Sequence, residues 1–133
     1  MRGLLKILLL VTFLTAGFKV SAQEGGYDVF VPIAKYISCG DVDKLSAWFA
    51  DNLEISIISV SNDSSKNQAK QILKTFFNSY APRSFDVNHM AGRSNMKYAM
   101  GSLTAGGEVF IVTIFVSCQK DSYKIQQLEI DRQ

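Results

Sequence analysis

Residues 108–118 read EVFIVTIFVSC, and this run decides the predicted fold. It is short, rich in β-branched and aromatic residues and flanked by turn residues, so it predicts a β-strand. Successive side chains alternate across a strand. One face of this strand therefore carries Phe110, Val112, Ile114 and Val116, and the other carries Val109, Ile111, Thr113 and Phe115. Because both faces are apolar, we expect one under helices and the other against more protein, including a second copy of the chain.

The first 22 residues predict a secretory signal peptide. Arg2 and Lys6 form a basic start, residues 7–18 form an apolar run, and Val20-Ser21-Ala22 supplies small residues for cleavage before Gln23. A membrane-spanning helix is the alternative, but the apolar run is shorter than the roughly 20 residues that a span needs. The predicted organisation is a signal peptide over 1–22 and a single α+β domain over 23–133.

Charge and composition indicate one globular domain and argue against a nucleic-acid partner. The chain has 133 residues, of which 47% are hydrophobic and 20% charged, as expected for one globular domain. Removing residues 1–22 lowers the basic residues from 14 to 11 against 12 acidic ones, so the net charge falls from +2 to −1. A nucleic-acid partner would need a basic patch, and none is predicted. The predicted localisation is exported, periplasmic or associated with the cell envelope, with no membrane span after cleavage.

Helices and one strand dominate the first half of the mature chain. The spacing over 28–38 predicts a helix with Asp28 as a cap, ended by Gly40, and Asp41 begins a second, shorter helix. Residues 53–60 predict a strand that the polar run 61–64 ends. Ser65 and Gln68 form a capping box for a long amphipathic helix. The apolar stripe of that helix consists of Ala69, Ile72, Leu73, Phe76, Phe77 and Tyr80.

The second half predicts a bent antiparallel meander of four strands. Phe85, Val87, His89 and Ala91 are expected on one face of its first strand. The apolar phase slips near Gln126-Gln127, which predicts a β-bulge, and Gly101 is a second candidate bend. The fold class is therefore α+β: two short helices, a strand, a long helix and the meander, with the helices against one face of the sheet.

Residues 40–53, GDVDKLSAWFADNL, resemble the helix-to-strand passage of the nuclear transport factor 2-like superfamily, whose cone (cystatin-like) fold also occurs in ketosteroid isomerase and SnoaL-type proteins. Four further stretches resemble a family of small exported bacterial proteins known only as a domain of unknown function. These stretches are residues 65–69, 76–77, 98–101 and 126–130. The resemblance covers residues 28–131. It implies a cone with a pocket between helices and sheet, and a dimer through the outer sheet face, but no particular activity.

The residues predict a non-catalytic binding or accessory protein more strongly than an enzyme. The pocket candidates are Tyr36, Trp48, His89 and Tyr98. The alternative is a small-molecule isomerase or dehydratase that uses His89 or Asp86 with Tyr98 in the cone. A third hypothesis is a purely structural module whose cone its own aromatic side chains fill. The expected partners are a second copy of the chain, a small apolar ligand or an envelope protein.

Metal and cofactor chemistry find little support in the sequence. One histidine and two distant cysteines do not form a usual zinc set, and Gly106-Gly107 predicts a hairpin turn rather than a phosphate loop. No cofactor is therefore expected. Cys39 and Cys118 are compatible either with a disulfide, which export permits, or with two free thiols. The lysines at 66, 70 and 74 predict an ordinary solvated helix face.

Overall fold

The computed structural model describes residues 27–133, so the predicted signal peptide, with its cleavage site before Gln23, lies outside the described residues. The described chain contains three α-helices, six strands and two short 3-10 segments. In chain order these are α1 (Phe30–Cys39), α2 (Val42–Leu45), β1 (Phe49–Ile57), β2 (Val60–Ser65), α3 (Lys66–Ser79), β3 (Pro82–Gly92), β4 (Met96–Ala105), β5 (Glu108–Gln119) and β6 (Ser122–Arg132).

All six strands form one sheet in the order β2-β1-β6-β5-β4-β3. Strands β3 to β6 form the predicted antiparallel meander. Strand β1 joins it by pairing parallel to β6, which brings the first and last strands of the chain together. The predicted α+β class is confirmed, with two more strands in the sheet than the meander alone.

Strand β2 is the one strand that the sequence analysis did not predict. Residues 61–64 are polar and were expected to end the preceding strand, yet they belong to β2 and pair antiparallel with β1 after a turn at Ile58-Ser59. Strand β2 is an edge strand, and five of its six residues are exposed. Polar side chains suit such an edge, because β1 supplies the hydrogen bonds and water contacts the rest.

The central strand β5 behaves as its alternation predicts. Its inner residues Phe110, Val112, Ile114 and Val116 are fully buried, and they lie in one core cluster with apolar residues from α1, α3 and the other strands. The outer residues Ile111, Thr113 and Phe115 are half-buried. The inner face is thus covered by the protein itself, while the outer face has no layer above it in the described chain.

The helix termini match the sequence signals closely. The side chain of Ser65 accepts a hydrogen bond from the backbone of Gln68, whose side chain accepts one from the backbone of Ser65, so the capping box of α3 is confirmed. Gly40 ends α1 with a φ of 73°, and Asp41 caps α2. Asp28 was expected to cap α1, but that helix has no side-chain cap.

Two of the four register shifts in the sheet lie where the sequence predicted bends. The register of β5 and β6 shifts beside Gln126, as predicted, and the amide nitrogen of Gln126 is buried without a hydrogen-bond partner among the described residues. The register of β3 and β4 shifts between Val87 and His89, opposite Gly101. Because one extra residue reverses the alternation of a strand, Val87 faces inward and His89 outward. The prediction that they share a face was therefore wrong.

We expect Gly101→Ala to destabilise the fold, because a Cβ at this position would lie 2.4 Å from the carbonyl oxygen of Asp86 and 2.8 Å from the ring of Phe85. Overpacking of this kind lowers the free energy of unfolding by about 1–3 kcal/mol. Urea unfolding measures the change. Ser102→Ala, one residue along on the outer face, is the matched control and should stay within about 0.5 kcal/mol of the parent. Equal stability of Gly101→Ala and the parent would contradict this account of the bend.

Candidate functional site

The three groups proposed for catalysis lie on the outer face of the sheet, not in a cone. His89 and Asp86 are exposed, and the side chain of Tyr98 points away from the buried side chains of Lys97 and Ala99. The rings of His89 and Tyr98 do come together, with centroids 5.7 Å apart. Since the shift after Val87 turns this pair outward, it faces solvent in the single chain and cannot enclose a small substrate.

The other two pocket candidates lie elsewhere. Tyr36, on α1, and Trp48, just before β1, are partly buried and pack against the margin of the core. The predicted set of four residues therefore does not converge on one cavity. The space expected to hold a ligand, between helices and concave sheet, is filled by buried side chains, among them Ile33, Leu73 and Phe110.

Both cysteines are free and exposed, so the disulfide alternative is not realised. Cys39 precedes Gly40, which lies against Pro82, and Pro82 pairs with the last residue of β4. Cys118 follows Ser117, which pairs with the first residue of β4. A strand of ten residues spans roughly 30 Å, and a disulfide needs Cα atoms within about 7 Å. The length of β4 therefore keeps the two thiols apart.

An apolar groove of about 450 Å³ lies between α3 and the β1–β2 turn. We call it the α3 groove. It is lined by Ile57, Ile58, Gln71, Ile72, Thr75, Phe76, Ser79 and Tyr80. Ile72 and Tyr80 belong to the predicted apolar stripe of α3, yet both are only half-buried. Their remaining apolar surface forms one wall of the groove.

The opposite wall is a strained turn. Ile58 and Ser59 have φ values of 48° and 70°, in the left-handed region. A two-residue hairpin of this type favours Asn-Gly, and a β-branched residue there is a true outlier. The turn is held by β6: the backbone N–H of Ile58 donates to the carbonyl of Ile130 at 2.7 Å, and that of Ser59 donates to the carboxylate of Asp131 at 3.1 Å.

The groove ends at a charged cluster. The hydroxyl of Tyr80 accepts a hydrogen bond from Arg132 at 3.1 Å, and Arg132 also forms an ion pair with Glu108. The hydrogen bond with Tyr80 and the charge of Glu108 raise the pKa of the Arg132 guanidinium. This guanidinium also lies 5.8 Å from the ring centroid of Phe110. Arg132 thus fixes the Tyr80 ring that closes the groove.

Sequence reasoning missed a buried lysine, Lys97, which has no carboxylate partner among residues 27–133. Lys97 is only 4% exposed, and its ammonium donates to the carbonyl of Arg93. It lies 5.2 Å from the ring centroid of Tyr27 and 5.6 Å from that of Tyr123, so two aromatic faces partly replace its lost hydration. Lys97 therefore fastens the start of the helical layer to the sheet.

Sequence reasoning also missed the α3 groove, because its walls come from segments far apart in the chain. The one local signal was the turn, where the uninterrupted apolar pair Ile57-Ile58 runs past the end of the strand. Within residues 27–133, no three His, Cys, Asp or Glu side chains are placed to hold a metal ion. Among the same residues, no helix has the length and apolar character needed to cross a membrane.

Comparison with known proteins gives a family and a fold. Residues 30–131 match the profile of a domain of unknown function, DUF4783. A DUF4783 protein from Bacteroides uniformis is 25% identical with a TM-score of 0.73, over 76% of this chain and 94% of that chain. No curated protein matches the chain.

Two more distant structures show the fold alone. A proposed dehydratase of the NTF2-like family from Streptomyces avermitilis is 10% identical with a TM-score of 0.66, over 86% of this chain and 98% of that one. A proposed polyketide cyclase from Xanthomonas campestris pv. campestris is 12% identical with a TM-score of 0.62, over 83% and 91%. The predicted resemblance to a family of unknown function is confirmed, and the predicted likeness to the nuclear transport factor 2-like superfamily is confirmed for the fold.

Proposed function

Because this chain belongs to the DUF4783 family, which is defined without a function, we propose a function from its own surfaces: an exported, non-catalytic binding protein of the cell envelope whose α3 groove takes a small apolar ligand. The groove is the observation that carries this proposal. Its volume of about 450 Å³ lies within the range of small-molecule pockets, and its walls are mainly aliphatic and aromatic.

The chemistry of the lining favours binding over catalysis. The eight lining residues include no carboxylate, imidazole, thiol or amine. The single phenol, that of Tyr80, already accepts a hydrogen bond from Arg132. General acid–base catalysis needs a titratable group within hydrogen-bond reach of the reacting atoms. The isomerase or dehydratase alternative gains no support from His89 or Asp86, which are exposed on the outer sheet face.

The strain in the β1–β2 turn supports a functional use of the groove. Left-handed conformations of residues other than glycine reduce stability and occur preferentially at ligand-binding sites. Asn-Gly would form this turn more favourably, but it would remove the Ile58 side chain from the groove wall. The sequence therefore retains an apolar wall where local stability favours a polar turn.

Export rests on the sequence of residues 1–22, and dimerisation rests on the outer sheet face. On that face, rings follow one another across the strands: Tyr98 lies 5.7 Å from His89 and 5.5 Å from Phe115, centroid to centroid. Farther along β5 on the same face, Val109 is 39% exposed and Ile111 is half-buried. A second copy packed on this face would remove that apolar surface from water.

We expect Ile58→Asn to weaken binding of the uncharged apolar dye N-phenyl-1-naphthylamine by roughly tenfold, because an aliphatic contact in the groove wall is lost. Fluorescence titration measures the affinity. Ser59→Gly is the matched control: it relieves the same turn without touching the groove lining, and it should leave dye affinity unchanged while stabilising the fold by about 1 kcal/mol. Unchanged dye affinity in both Ile58→Asn and Ile72→Asn would rule out the groove as the binding site.

We expect the protein recovered from its own cells to begin at Gln23 and to fractionate with the envelope or the medium, because residues 1–22 carry the basic, apolar and small-residue segments of a signal peptide. Terminal sequencing of the purified chain measures this. Cytosolic protein that retains residues 1–22 would contradict the export proposal while leaving the groove proposal intact.

We expect the mature chain to sediment as a dimer and Phe115→Glu to sediment as a monomer, because a carboxylate on the outer face would be buried unpaired in the interface. Val31→Glu is the control, since Val31 is 69% exposed on α1, on the opposite side of the sheet. A parent protein that stays monomeric at every concentration tested would contradict the dimer.

A further inference from the structure

Three lysines from separate elements meet around one small cavity, which we call the three-lysine cavity. Lys66 begins α3, Lys120 lies in the β5–β6 turn, and Lys124 lies on β6. The cavity has a volume of about 330 Å³ and is lined by Phe49, Ala50, Asp51, Lys66, Gln119, Lys120, Ser122 and Lys124. It is separate from the α3 groove, with which it shares no lining residue.

The charge of this cavity is largely uncompensated. Within residues 27–133, neither Lys66 nor Lys120 forms an ion pair, and the ammonium of Lys124 donates to the carbonyl of Ala47 at 3.0 Å. Asp51 contributes the single carboxylate of the lining. Three ammonium groups and one carboxylate leave a local charge of two positive units in a chain whose mature net charge is −1.

Two of these lysines occupy positions where lysine is locally unfavourable. Lys66 is the first residue of α3, where the helix dipole disfavours a cation, and the first turn of that helix contains no acidic residue. Lys120 has a φ of 60°, a conformation that glycine or asparagine adopts more easily. Glycine at 120 and an acidic residue at 66 would each stabilise the fold, so local stability does not explain the lysines.

The neighbouring lysines on α3 provide the contrast. Lys70 and Lys74 lie 3.3 Å and 3.1 Å from a carboxylate oxygen of Asp43. Their hydrogen bonds and charges lower the pKa of the Asp43 carboxyl, whose single negative charge both lysines share. The sequence pattern predicted one solvated face for lysines 66, 70 and 74. The tertiary structure divides it into a pair that shares the Asp43 carboxylate and a third lysine that lines the three-lysine cavity.

We infer that the three-lysine cavity binds a phosphate group, either of a soluble phosphorylated compound or of a lipid headgroup. Lysine ammonium groups bind phosphate as point charges, and the positive end of α3 adds to the same field. The hydroxyl of Ser122 supplies a further donor. Phe49 and Ala50, both almost fully buried, also line the cavity.

The test is a titration of the mature chain with inorganic phosphate, followed by backbone amide shifts in solution NMR. We expect shifts centred on residues 66 and 119–124. The triple variant Lys66→Gln, Lys120→Gln, Lys124→Gln should bind at least about tenfold more weakly, because three point charges are removed. The urea midpoint of the triple variant should stay close to that of the parent, because each glutamine keeps most of the lysine's apolar stem and the one contact removed is the hydrogen bond from Lys124 to Ala47, and this measurement separates loss of binding from loss of fold.

The matched control is Lys70→Gln with Lys74→Gln, which removes two charges from the same helix but outside the cavity. Phosphate affinity should be unchanged in this control, apart from the weak effect of long-range charge. Absence of shifts in the parent with millimolar phosphate, or equal losses in the triple variant and the control, would overturn the proposal.

A second arm identifies the source of the phosphate. Vesicles of phosphatidylcholine with phosphatidic acid, compared with phosphatidylcholine alone, are mixed with the mature chain and sedimented. Retention by the phosphatidic acid vesicles that free phosphate displaces and the triple variant lacks would identify a lipid headgroup. Amide shifts with soluble phosphate but no retention would identify a soluble compound.

Discussion

The burial of the inner face of β5 under α3 is the contact on which the remaining structure depends. Phe110 of β5 meets Phe76 of α3 edge to face, with ring centroids 5.2 Å apart, and Tyr80 packs against the same ring. The four inner residues of β5 and the apolar side of α3 together form the centre of a single core. An amphipathic helix and a half-apolar strand are each unstable alone in water, so each supplies the surface that the other needs.

The bends of the sheet follow from that contact. A sheet that covers α3 must curve around it, and register shifts, among them those beside Gln126 and opposite Gly101, contribute to the curvature. The same shift that curves β3 also turns His89 outward. The curvature of β3 and the outward orientation of His89 thus have one geometric cause, and the filled interior leaves surface grooves as the places for the proposed binding.

Local and global preferences agree through most of the chain and disagree at the two proposed sites. Capping residues, helix stripes and buried strands all favour the observed fold. Ile58 and Ser59 at the α3 groove have left-handed backbones, as does Lys120 at the three-lysine cavity, and Lys66 opposes the dipole of its helix. Natural sequences are expected to depart from local consistency where function requires it. The coincidence of these departures with grooves links the two proposals.

The sequence by itself determined the elements whose signals are local. The capping box at Ser65, the left-handed end of α1 at Gly40, the apolar stripe of α3 and the alternation of β5 each depend on residues within a few positions of one another. The slip in the alternation of apolar residues near Gln126 predicted a β-bulge for the same reason. These features determined the α+β class, and the resemblance of residues 40–53 to a known superfamily implied the nuclear transport factor 2-like fold.

Only the tertiary structure decided the features that depend on residues far apart in the chain. The polar strand β2 exists because β1 pairs with it, and His89 faces outward because of one extra residue that no local pattern reveals. The α3 groove joins the β1–β2 turn to a helix, and the three-lysine cavity joins the start of that helix to a turn more than 50 positions later in the sequence. Side-chain alternation and helical periodicity describe which residues are buried, whereas the meeting of exposed residues depends on the relative placement of whole elements.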